Sequence, residues 1–184
     1  MTDKMVNGIL FMIAGLGPIA VYAGLGETEL LSKGHTEKFA AYALLTIPLA
    51  FMMIRNLVRN TYIDAGLIII VVGLTMGLVS DAINSAELGA ESESMAEALE
   101  WTGWSIMYLG ISITGIGYLR TNLFPNWLSG LLALTSFVMF ASIAVLNGEQ
   151  LETNGDNIVG PLWMINSLVL VILGIFTIRR TELD

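Results

Sequence analysis

Six apolar stretches dominate this chain and leave it few ways to fold in water. They run Met5–Leu25, Phe39–Ile54, Tyr62–Ile83, Trp101–Leu119, Trp127–Asn147 and Asn157–Ile178, and Asp64 and Asp81 are the only charged residues inside any of them. An α-helix needs about 20 apolar residues to cross the ~30 Å hydrocarbon layer, where its own hydrogen bonds satisfy the backbone. Five stretches reach that length. Phe39–Ile54 falls short, but Lys38 and Arg55 flank it and can snorkel to the headgroups. The pattern predicts an all-α, polytopic integral membrane protein: a bundle of six transmembrane helices with short loops, forming one domain over residues 1–184. Met5–Leu25 is longer than the apolar region of a signal peptide and has only Lys4 before it, so it reads as a retained first helix.

Charge sets the expected orientation. Lys4, Arg55, Arg59, Arg120, Arg179 and Arg180 fall on the side of the two termini, and only Lys33 and Lys38 fall on the other. The positive-inside rule then puts both termini in the cytoplasm. Twelve of the sixteen acids lie on the outer side: Glu27, Glu29, Glu37, Asp81, Glu87, Glu91, Glu93, Glu97, Glu100, Glu149, Glu152 and Asp156. They read as a solvated acidic rim, since no loop has the spacing of a dedicated calcium site. Trp101, Trp104 and Trp163 fall at outer helix ends and Trp127 at an inner one, where indole rings are expected as headgroup anchors.

Small residues recur every seven positions on four stretches: Gly8 and Gly15; Gly66, Gly73 and Ser80; Gly103, Gly110 and Gly117; Gly160, Ser167 and Gly174. That period holds one stripe of a helix against a neighbour, and small residues let backbones approach where lipid gives no hydrophobic drive. A compact left-handed bundle follows. Shared glycine spacing between stretches one and four, and between three and six, suggests an inverted repeat, although the other residues do not align. Pro18 and Pro48 should kink their helices. Ser94 and Glu97 fit a capping box that would start the fourth helix above the membrane, and Pro125 marks the start of the fifth.

Chemistry is scarce. The chain has no cysteine, one histidine (His35, in a loop) and no lysine inside a stretch. Buried haem ligation, a Schiff base and nucleophilic hydrolysis thus lack their groups. No cofactor, no metal and no enzymatic activity are expected. Asn166 is the deepest amide, and Thr75, Ser105, Ser112, Thr114, Thr135, Ser136 and Ser142 are the hydroxyls that could join it in bonds between helices. Asp64 should pair with Arg55 or Arg59 at the inner interface. Asp81 lacks an obvious cation and is expected to be wet or bonded to Asn84 near the outer end. The expected partners are the lipid bilayer and protein subunits or a second copy of the chain, without nucleic acid. The first functional expectation is a non-enzymatic accessory or structural subunit of a larger membrane complex. The alternative is a small oligomeric transporter or channel for a small solute or cation, using Pro18, Pro48, Asn166 and Asp81. A solvated cavity at mid-membrane depth discriminates in favour of the latter.

Overall fold

The computed structural model describes residues 2–26, 28, 30–86, 89–146 and 148–180, apart from the side chains of Lys33, 148–149, Glu152 and 154–156. Glu27, Glu29, Glu87, Glu182 and Asp184 lie outside the described residues, as do the side chains of Glu149, Glu152 and Asp156. All regular structure among the described residues is helical: α1 (Asp3–Ile19) running into a π-helical segment (Ala20–Gly26), α2 (Lys33–Leu44), α3 (Thr46–Arg55), α4 (Thr61–Ser85), α5 (Ala90–Leu119), α6 (Asn126–Val145) and α7 (Gly148–Arg179). Only Leu45 separates α2 from α3, so they act as one broken rod and the rods number six.

Five rods are long and apolar enough to cross a membrane: Asp3–Gly26, Gly34–Arg55, Thr61–Ser85, Asn126–Val145 and Asn157–Arg179. The exception is α5. It has 30 residues, but its inner half spends many positions on Gly103, Ser105, Gly110, Ser112, Thr114, Gly115 and Gly117, all buried. These weakly apolar residues let α4 and α6 close on it from both sides.

Both prolines stand beside an interruption of the α-helical pattern. Pro18 lies in the last turn of α1, and the wider π-helical coil begins two residues later. Pro48 stands in the first turn of α3, the position where a missing N–H costs a helix least, and the chain breaks just before it at Leu45. The Thr46 hydroxyl donates to the Ala43 carbonyl at 2.6 Å across that break. Three boundaries differ from expectation. The Ser94 capping box does not form, because α5 begins four residues earlier behind Gly89, whose φ of +102° suits glycine. Glu91 and Glu93 then occupy its first turn, where the helix dipole favours anions. The connection expected over Asn84–Glu100 shrinks accordingly, and α7 starts well before Asn157.

The rods follow one another around a closed ring: each packs on its neighbours in sequence, and α7 returns to α1. Two glycine seams hold it. On α4 and α5, Gly73 faces Gly103, and Gly66 faces Gly110 and Thr114. A methyl added at Gly110 would stand 2.6 Å from the Ile70 nitrogen and 2.7 Å from the Gly66 carbonyl oxygen. On α1 and α7, Gly8 faces Gly174 and Gly15 faces Ser167. Both seams join the first half of the chain (α1–α4) to the second (α5–α7). At the end carrying the termini, the Lys4 ammonium donates to the Arg180 carbonyl at 3.3 Å, and Asn60 both caps α4 through the Ile63 N–H and donates to the Gly117 carbonyl at 3.0 Å. Inside the ring at this end sits an aromatic plug. Phe11 and Phe51 meet edge to face at 5.1 Å, Phe51 stacks on Tyr118 at 6.3 Å, and Phe124 closes on Tyr118 at 5.3 Å. All four are buried.

Candidate functional site

Beyond the plug, towards the end of the bundle away from the termini, the ring encloses a cavity of about 460 Å³. Five of the six rods line it, α4 being the exception. Ala14, Leu44, Ile47, Met107, Ile111 and Leu170 form its deep apolar part. Tyr22, Trp101, Trp104, Tyr108 and Trp163 make an aromatic wall above them, and Glu37, Glu97 and Glu100 stand at the outermost level. From Trp101 to Ile111 the lining descends about 15 Å along α5, half the thickness of a hydrocarbon layer. No described lining residue is basic.

The local sequence explains the placement. Glu97, Glu100, Trp101, Trp104, Tyr108 and Ile111 recur at three- and four-residue spacing, which is one face of a helix. Pro18 lines the cavity, and the π-helical coil after it carries Tyr22 inward, where its hydroxyl donates to Glu37 Oε2 at 2.7 Å. The Tyr22 and Trp163 rings meet edge to face at 6.5 Å, and the Trp104 indole N–H donates to Glu100 Oε1 at 3.4 Å. Trp101, Trp104 and Trp163, expected as lipid anchors, are therefore half-buried wall residues; Trp127 is 56% exposed.

Asp81 departs most from expectation. It is 3% exposed rather than wet, and its Oδ2 has no hydrogen-bond partner. It lies on α4 within electrostatic reach of Glu37, Glu100 and Tyr22, which belong to three other rods. The reason is tertiary: α5 and the α2 rod stand over it, which the α4 sequence does not encode. The neighbouring Ser80 hydroxyl is also buried without a partner. Although the acids cluster, among the described residues no three His, Cys, Asp or Glu side chains are placed to hold a metal ion.

The remaining sequence candidates divide. Asn166 lines the cavity but is fully engaged: Thr135 and Ser136 hydroxyls donate to its Oδ1 at 3.0 and 2.9 Å, and its amide donates to the Leu162 carbonyl at 2.9 Å. It clamps α6 to α7. Asn166→Ala is expected to cost about 1–2 kcal/mol, because the buried Ser136 hydroxyl loses its acceptor and Thr135 keeps only the Leu131 carbonyl of its own helix; thermal unfolding in detergent measures it, and an unchanged midpoint would show that the clamp is idle. Asp64 is remote from the cavity and pairs with Arg55, whose Nε donates to Oδ1 at 2.5 Å. Pro48 does not line the cavity, although its neighbours Leu44 and Ile47 do. Sequence reasoning passed over Glu37, Glu97, Glu100 and Tyr22, and the helical spacing on α5 was the signal that could have found two of them.

Comparison of the chain with protein-family models, with curated proteins and with solved structures finds no match.

Proposed function

We propose that this chain is a multi-pass membrane protein with six spans and both termini in the cytoplasm, and that it is a carrier: it takes a small molecule into the interior of its helix ring from the side opposite the termini. The observation carrying this reading is the cavity of about 460 Å³, which falls in the size range of small-molecule sites and descends to mid-span. Its acidic lining residues lie towards the end away from the termini, and the aromatic plug packs inside the ring at the other end, which supports access from the acidic side. The accessory-subunit reading has weaker support. Exposed large apolar residues are spread over the ring, from Leu16 and Met52 to Val72, Leu134 and Leu168, as lipid contact requires, rather than gathered into one face for a partner.

The absence of cysteine gives a clean test. Single cysteines at Ala14 and Leu170, in the cavity, are expected to react with a water-soluble methanethiosulfonate applied to the side away from the termini. Cysteines at Ile68 and Leu134, on the lipid-facing perimeter, are expected to stay unlabelled. A cysteine at Asn122, in the α5–α6 connection, should react only after permeabilisation. Equal protection of cavity and perimeter cysteines would mean a dry interior and end the carrier reading; labelling at Asn122 in intact cells would invert the orientation.

A further inference from the structure

We infer that the cargo of this cavity is a neutral, largely apolar molecule carrying a flat ring system, held by contact with the lining rather than by charge. The inference rests on the carrier reading above and names the class of its cargo. The deep lining supports it first. Leu44, Ile47, Met107, Ile111, Met139 and Leu170 converge there from four rods and offer no hydrogen-bond donor. A hydrated ion reaching them would shed its water and receive nothing in exchange. Asn166 also lines the cavity, but its oxygen and its amide are spent on Thr135, Ser136 and Leu162. The two methionines are unbranched and polarizable, so they mould themselves to a ring and favour its edge. The volume of about 460 Å³ suits a drug-sized molecule.

The wall above them is the second support. Trp101, Trp104 and Tyr108 share one face of α5, and Trp163 and Tyr22 meet edge to face across from them. Aromatic side chains gain from offset or edge-to-face contact with a further ring, beyond the area they bury. The third support is what the acids do. The Tyr22 hydroxyl donates to Glu37 and the Trp104 indole N–H donates to Glu100, so both carboxylates orient rings of the wall. Their bonds are made within the protein, and holding a cargo requires no positive charge. What remains is a negative field with no described basic residue in the lining, and it disfavours an anion. Apolar depth, aromatic wall and negative field together select a neutral ring-bearing molecule.

Two dyes of one skeleton and different charge test it: neutral N-phenyl-1-naphthylamine and its sulfonate, 8-anilino-1-naphthalenesulfonate. Both accept excitation energy from tryptophan. Trp101, Trp104 and Trp163 line the cavity and Trp127 does not, so Trp127→Phe leaves donors at the site alone. In lipid nanodiscs, energy transfer from this variant to the neutral dye should saturate. Its Kd should lie at least tenfold below that of the sulfonate, once partition into empty nanodiscs is subtracted. A trimethylammonium derivative of the same skeleton should bind no tighter than the neutral dye. Ala14→Phe and Leu170→Phe fill the deep part from two different rods, and each should abolish the saturable transfer. Glu37→Gln weakens the negative field and should raise the affinity for the sulfonate at least threefold. Equal affinity for the neutral dye and the sulfonate, tighter binding of the cationic derivative, or transfer that persists in both filled variants would each overturn the inference. Such a result leaves the carrier reading standing wherever the cysteines at Ala14 and Leu170 are labelled; their protection removes both.

Discussion

Gly73→Leu and Gly110→Leu are each expected to lower the melting temperature of the purified protein by roughly 10 °C. The position of a new side chain decides the size. At Gly110 its first carbon would already stand 2.6 Å from a backbone nitrogen of α4, and at Gly73 it would meet the Met107 nitrogen and the Gly103 carbonyl. Backbone atoms cannot rotate aside as a side-chain tip can, so the helices must separate along the whole seam. Overpacking costs about 1–3 kcal/mol in ordinary cores and more where backbone must move. About 3 kcal/mol corresponds to ~6–12 °C for a chain of this size. Gly130 and Gly24 supply the contrast. A Cβ at Gly130 would find only Leu119 Cδ2, at 3.9 Å, and one at Gly24 would find nothing within 4 Å. Gly130→Ala should be neutral or slightly stabilising, as expected of glycine replaced on an open helix face. If Gly110→Leu melts with wild type, α4 and α5 do not pack as described.

Asp81→Asn should stabilise the protein. The substitution keeps the shape of a side chain that is 3% exposed and removes a carboxyl from a place shared with Glu37 and Glu100. The unliganded protein should gain about 1 kcal/mol, the scale on which strained functional positions are relieved. Thermal unfolding of the purified protein measures it, and a fall in the melting temperature on replacement would show that the buried carboxylate supports the fold.

The sequence disclosed the helices better than their company. Each expected apolar stretch falls on one of the rods, and five of the six rods are long and apolar enough to cross a membrane. The apolar signal was silent on the polar extensions of the helices. Ala90–Glu100 is rich in alanine, glutamate, methionine and leucine, good helix formers, and so continues α5 outward without any apolar signal. The seven-residue glycine period announced seams, yet only the packed structure matches α4 to α5 and α1 to α7, since a stripe states that a neighbour exists and not which one. The site was harder still. Each acid, taken on its own segment, looks like solvated surface; Glu37, Asp81 and Glu100 become a group only when three rods meet. The face of α5 from Glu97 to Ile111 was legible, because its spacing is purely local. The burial of Asp81 was not, because it depends on what α5 and the α2 rod lay over it.

Closure of the ring by α1 and α7 has a consequence for how the protein is made. Gly8 meets Gly174 and Gly15 meets Ser167, partners separated by nearly the whole chain. During synthesis the amino-terminal helix is released first, and its small-residue groove stays unfilled until the final helix leaves the ribosome. Contacts so distant along the chain are slow to form, since the intervening loop must close before any packing rewards it. For that interval the half-ring is an open crescent whose grooved edge suits any helix with small side chains. Cellular quality control therefore meets this protein chiefly as an incomplete circle, and defects in the last helix should be read there as failures of the first.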